Sequence, residues 1–344
     1  MKILTKLTFI LLFILAYNSN AQSFSNALDY LEFLGNEEET VTKNMWKYTK
    51  AVAHSKSDRS INSKRTVLIK SVERAIAKVE KAEGYKGDDY KNKVLEHMRL
   101  NESLLKQDYA KIIDLKEVAE QSYDYMEAYI LAQELADKKM AEAQAIYEKD
   151  FYAFAAENNI NIIESETDLG KKMDISNKVF NHNNKMHLIF FKVYINEIYL
   201  WEAVEKGDVN GIQQNASALN QTAKEGLELL KAVELYKNDA AIVTATKDVF
   251  EFFIDESENE IPKITDFLVL NSDFETIKEA LDKTPERKRT KEQIDAYNKK
   301  IKEINKSVKT YNTVNTKLNT ERQKHLTRLE TTKSNFLERH IPND

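Results

Sequence analysis

Apolar side chains recur along this chain by threes, fours and sevens, the spacing that gathers them on one stripe of an α-helix. Leu31, Leu34, Val41, Met45, Tyr48 and Val52 predict helix A over residues 24–54. Val67, Ile69, Val72, Ile76 and Val79 predict helix B over 61–82, closed by the stop signal Gly84-Tyr85-Lys86-Gly87. Helix C, 88–115, opens on Asp88 and Asp89, carboxylates suited to free amides and the positive dipole end. Helix D covers 117–158. A second set follows: A′ over 175–205 ending at Gly207, B′ over 209–236, and C′ over 239–270 with Pro262 expected to kink or break it. A connecting segment is expected at 271–285, then helix D′ over 287–339. In D′, Ile294, Tyr297, Ile301, Ile304, Val308, Tyr311, Leu318, Leu329 and Phe336 hold heptad a and d positions, with Asn315, Arg322, His325 and Thr332 in the remaining ones. That narrow seam predicts coiled-coil-like packing over a rod of about 75 Å. A partner helix of that length would have to be continuous, so a bend or break near 313–319 is expected.

The two sets look like one unit written twice. Ala51-Val52 matches Ala203-Val204; Tyr85-Lys86 with Asp88 matches Tyr236-Lys237 with Asp239; Lys111-Ile112-Ile113-Asp114-Leu115 matches Lys263-Ile264-Thr265-Asp266-Phe267. All three pairs stand 151–152 residues apart, and a preserved offset is the mark of an internal repeat. Glu127-Ala128-Tyr129 resembles Asp295-Ala296-Tyr297 at an offset of 168, which predicts about 16 extra residues around 271–290 in the second copy. The expected organisation is all-α: two tandem four-helix units, repeat 1 over 22–165 and repeat 2 over 172–344, rigidly coupled because 158–174 holds few loop formers.

Composition agrees. The 344 residues include 7 Gly, 3 Pro and no Cys, against about 24 Gly and 17 Pro at average usage. So few turn formers argue against a β-sandwich or a Gly-rich nucleotide fold. The lack of cysteine removes disulfides, thiolate metal sites, cysteine nucleophiles and a lipidated N-terminal cysteine. Residues 1–21 read as a secretory signal peptide: Lys2 and Lys6, an eleven-residue apolar run over 7–17, and Ala21 at a small-residue cleavage site. The run is too short to span a bilayer. Met186–Val204, the most hydrophobic later stretch, is interrupted by Lys192, Asn196, Glu197 and Glu202. No transmembrane segment is therefore expected after cleavage. The chain is expected in the periplasm, at the cell surface or outside the cell, and not as a lipoprotein.

Candidate chemistry is sparse. Four-helix bundles hold metals through Glu-x-x-His pairs, and neither that motif nor His-x-x-Glu occurs around the six histidines. His182 and His187, five residues apart, face different sides of a helix. Gly207-Asp208-Val209-Asn210-Gly211 reads as a helix stop and Asp cap rather than a calcium loop. The acidic run Asp255, Glu256, Glu258 and Glu260 reads as a solvated helix face. Residues 286–340 carry 15 Lys/Arg against 7 Asp/Glu, and Arg287, Lys288, Arg289 and Lys291 form their densest spot. These four are the candidate interaction surface. Nucleic acid is not the expected partner, because aromatic interleaving is absent there and the whole chain is acidic. The basic D′ helix is expected to lie against acidic neighbours. Trp46 and Trp201 are expected to be partly buried on helices A and A′, and the tyrosines of helix D to be packing residues.

The leader ending Asn-Ala-Gln, the Cys-free helical body and the stretch Asp248–Ile264, DVFEFFIDESENEIPKI, resemble a family of helical bacterial surface proteins of unknown function from spirochaetes and Bacteroidota. The resemblance implies export and an envelope or surface location and brings no catalytic or cofactor residues. The longer basic C-terminal helix departs from it. The expected function is an exported non-enzymatic helical protein of the cell envelope or surface, with a structural or binding role, without cofactor, toward a protein or envelope component. The alternative is a periplasmic ligand- or metal-binding bundle.

Overall fold

The computed structural model describes residues 23–55, 57–108, 112, 115, 118–163 and 167–343. The leader expected over 1–21, and Lys111, Ile113 and Asp114 of one repeat block, lie outside the described residues. Of the described residues 88% are helical, and none lies in a strand. In order come α1 (Ala27–His54), α2 (Asp58–Lys81), α3 (Asp89–Ser103), a π turn at Leu104–Asp108, α4 (Tyr123–Glu157), α5 (Asp168–Lys206), α6 (Val209–Lys231), α7 (Ala241–Asp255), a second π turn at Glu256–Glu260, α8 (Ile261–Lys283) and α9 (Lys291–His340).

Helix ends fall where side chains satisfy free amides. Ser122 accepts from Tyr125 N, Thr167 from Gly170 N, and Asp208 from Gly211 N. Gly207 closes α5 in the left-handed region at φ 64°, as a helix stop requires. Asp88 occupies the N-cap of α3 but makes no side-chain cap bond.

Two apolar cores are strung along the molecule. The first gathers Tyr30 and Leu34 of α1, Leu68, Val72 and Val79 of α2, Val94 of α3 and Phe154 near the end of α4. The second gathers Met186 and Leu200 of α5, Ile212 and Leu219 of α6, Phe250 and Phe253 of α7, and Leu318, Leu329 and Phe336 of α9. Trp46 from the far end of α1 and Met126 and Ile130 from the start of α4 also belong to the second core. The first and fourth helices thus serve both cores. Between them, Lys50 Nζ donates to the Asn343 carbonyl at 3.1 Å and Asn184 Nδ2 to Gln133 Oε1 at 3.2 Å.

Several expectations change here. The segment 271–285 is helical through Lys283, because Phe274 stacks on Tyr297 at 5.5 Å and carries the stripe past the polar Asn271-Ser272-Asp273. Pro262 neither ends nor breaks the helix. The π turn just before it opens the ladder where the proline ring would crowd a carbonyl, and α7 and α8 stay one rod. That rod runs antiparallel beside α9, which is unbroken over 313–319. α9 starts at Lys291 rather than 287, fixed by a Thr290–Gln293 capping box. α5 starts at Asp168, seven residues before the expected 175, on its Thr167 cap.

The two halves share several local features. Each has a fifteen-residue helix followed by a five-residue π turn, the second pair 152 positions after the first. Left-handed Lys86 and Gly87 precede the one, left-handed Lys237 and Asn238 the other. Phe154 is touched by the rings of Tyr30 and Tyr85, and Phe336 by those of His182 and Tyr236. Phe154 and Phe336 stand 182 apart, against 152 for the helix-and-turn pairs. The stretch before Phe336 includes a hairpin arm made of α8 and the first half of α9.

Candidate functional site

Two places concentrate unusual side chains: the tip of the arm, and a charged layer inside the second core.

At the tip, Arg287 and Lys288 are exposed on a 3₁₀ turn at Glu286–Lys288. Arg289 is half-buried and donates through Nε to the Thr284 carbonyl at 3.1 Å. Lys291, exposed, begins α9. The structure thus brings all four together on the connection between two helices, not along one helix. Arg287, Lys288 and Lys291 make no ion pair among the described residues. The rest of α9 is different. Lys300 meets Asp273 at 3.1 Å, Lys317 meets Glu260 at 2.6 Å, Arg328 meets Asp248, and Arg339 and His340 meet Asp239 at 2.6 and 2.8 Å. These residues of the basic helix lie against acidic neighbours, while Lys299, Lys302, Lys306 and Lys309, like the cations of the tip, are exposed and make no ion pair among the described residues.

The charged layer overturns the reading of the acidic run as a solvated face. Asp255 and Glu258 are exposed, but Glu256 is fully buried and Glu260 nearly so. Glu256, from the π turn, and Glu197, from α5, flank the guanidinium of Arg322 from α9. Trp201 closes the layer: its Nε1 donates to Glu256 Oε1 at 3.0 Å, and its ring lies 4.3 Å from the guanidinium centre. Two carboxylates thus share one cation. Glu256 Oε2 is buried without a hydrogen-bond partner. Burial pushes Glu197 up to about 7 against the pull of Arg322, and Glu256 moves in the same direction for the same reason.

A legible signal marked these residues. The apolar stripe Ile242, Ala245, Val249 and Phe253 continues at the same spacing through Glu256 and Glu260 to Ile264. Glu197 lies on the buried stripe of α5, and Arg322 at a heptad position of α9.

His182 and His340 share the rings of Tyr236 and Phe336, and the other histidines lie apart from them. His187 faces Lys333 at 3.2 Å, His182 packs against Phe336, and His325 stacks on Phe252 at 5.2 Å. Among the described residues no group of three or more His, Asp or Glu side chains could hold a metal ion. Beside the π turn, an open groove of about 420 Å³ is lined by Gln213, Ser217, Asn220, Ser257 and Thr265. Trp46 is buried and Trp201 half-buried, one helical turn out of register under the 152-residue offset. No helix among the described residues is long and apolar enough to cross a membrane. No protein-family model, no curated protein and no solved structure matches the chain.

Proposed function

We propose that this chain is an exported, non-enzymatic helical protein of the cell envelope or surface, built by tandem duplication of a four-helix unit, that binds a partner through the tip of its arm. One observation carries the binding reading: Arg287, Lys288 and Lys291 at the tip, and Lys299, Lys302, Lys306 and Lys309 on the adjoining stretch of α9, are exposed and make no ion pair among the described residues, whereas further along α9 Lys317, Arg328 and Arg339 are paired with acidic neighbours. Exposed unpaired cations at a projecting tip attract an acidic surface and govern encounter more than final affinity. The partner is therefore a protein or envelope component with clustered carboxylates or phosphates. The duplication reading is supported by the matched π turns, left-handed pairs and aromatic contacts.

A photocrosslinking amino acid placed at the exposed Glu286, beside the basic residues, in the native host tests the proposal. Export predicts that the recovered chain starts at Gln22. Arm binding predicts discrete crosslinked adducts that disappear when Arg287, Lys288 and Lys291 are changed to Glu. An uncleaved chain retained in the cytoplasm removes the export reading. Adducts indifferent to the charge reversal remove the arm.

A further inference from the structure

Under the duplication reading, the first half supplies counterparts to the charged layer. Glu256 opens the second π turn, and Leu104 opens the first. The 152-residue offset places Met45 where Glu197 stands, and the 182-residue offset at the fourth helix places Met140 where Arg322 stands. On these offsets Met45, Leu104 and Met140 stand in the first half at the positions of Glu197, Glu256 and Arg322. A buried ion pair is often no more stabilising than apolar residues of similar size, so the fold alone does not call for this layer.

The layer also carries unequal charge. With both carboxylates ionised it holds one net negative charge, with Glu256 Oε2 left bare in the interior. With one carboxyl protonated it is neutral. We propose that Glu197, Glu256 and Arg322 form a proton-operated latch on α9. With a proton bound, the layer is neutral and clamps α9 to α5 and the π turn. When the proton leaves for solvent, the buried negative charge weakens that clamp.

The surroundings fit this role. Asp255 lies beside Glu256 and adds negative charge from α7. Tyr194 on α5 lies beside Glu197, and it is also faced by Glu120, which precedes α4, and by Glu330 of α9. Arg322 is the cation at the centre of the layer, supplied by α9. The sign follows from linkage. Glu197 is raised above the ordinary carboxyl value, so the closed form binds more protons than the open one. The clamp is strongest below about pH 4.5, weakens as pH rises, and reaches its weaker plateau above about 7. His187 and His325 are held below their ordinary value by burial, so both act in the opposite sense on the same helix. Only a difference between variants isolates the layer.

Hydrogen exchange of the amides over 314–332, corrected for intrinsic rates, tests the latch in the full chain. From pH 5 to pH 8 the wild type should lose protection relative to Glu197→Gln by about tenfold or more. Equal pH profiles in the two proteins overturn the proposal. If Glu197→Gln does not fold, the triple variant Glu197→Met, Glu256→Leu, Arg322→Met decides. A folded triple variant without the pH-dependent loss supports the latch. A triple variant that keeps the loss, or that cannot fold, overturns it, because the layer would then be irrelevant or merely structural. The Glu197→Gln comparison does not depend on the duplication reading, whereas the triple variant does.

Discussion

Two glycines respond oppositely to an added methyl group. Gly226 lies on α6 where a Cβ would come within 2.6 Å of the Phe250 ring and 3.1 Å of Val193. Phe250 is fully buried and has nowhere to retreat. Gly226→Ala should therefore cost about 1–3 kcal/mol, read as a lower urea midpoint at constant slope. Gly35 lies inside α1 with nothing within 4 Å, so Gly35→Ala should gain about 0.5–1 kcal/mol by restricting the unfolded chain. A loss at Gly35 would show that its surface is needed open. His187 gives the residue-scale pH effect. Burial, then the nearby Lys333 charge, lower it to about 4. A depressed histidine leaves the folded state with fewer protons than the unfolded one, so stability falls as pH drops from about 6.5 toward 4. Urea titrations at pH 7 and pH 5 should show that acidification costs the wild type on the order of 2 kcal/mol more than it costs His187→Gln. Equal responses in the two proteins would place the acid sensitivity elsewhere.

At the scale of elements, the arm depends on how its second helix begins. The Thr290 hydroxyl accepts from Gln293 N at 3.3 Å, and the Gln293 side chain accepts from Thr290 N at 3.0 Å. Thr290→Ala should destabilise this start by about 1 kcal/mol, seen as faster exchange in the first turn of α9 with the body of the molecule unchanged. Faster exchange throughout would mean that the arm is coupled to the core. Most helices here were legible because amphipathic stripes, Asp and Ser caps and Gly stops are local. The end of C′ was not, since Asn271-Ser272-Asp273 carry a strong local signal to stop, and only pairing with α9 across the hairpin overrides it. The buried layer was hidden for a related reason. A run of carboxylates usually marks a wet face, and the partner that makes Glu256 tolerable inside, Arg322, lies 66 residues further on. The stripe through Phe253, Glu256, Glu260 and Ile264 carried that information in its spacing rather than its chemistry.

For the whole molecule, the two tandem cores behave as one object if the helices they share are rigid. Trp46 decides this, because it belongs to α1, whose other end builds the first core, yet it is buried in the second. A domain normally gathers its own core, and separate domains meet through more polar interfaces. Here Met126 and Ile130 repeat the crossing on α4, so separating the halves would strip apolar side chains from both helices. The full chain should therefore unfold in one cooperative transition. In a Trp201→Phe background, Trp46 emission reports the junction alone, and its midpoint should coincide with that of the helical circular dichroism signal. If Trp46 becomes exposed well before the helices melt, the halves are independent units. The proton latch would then act only within the second one.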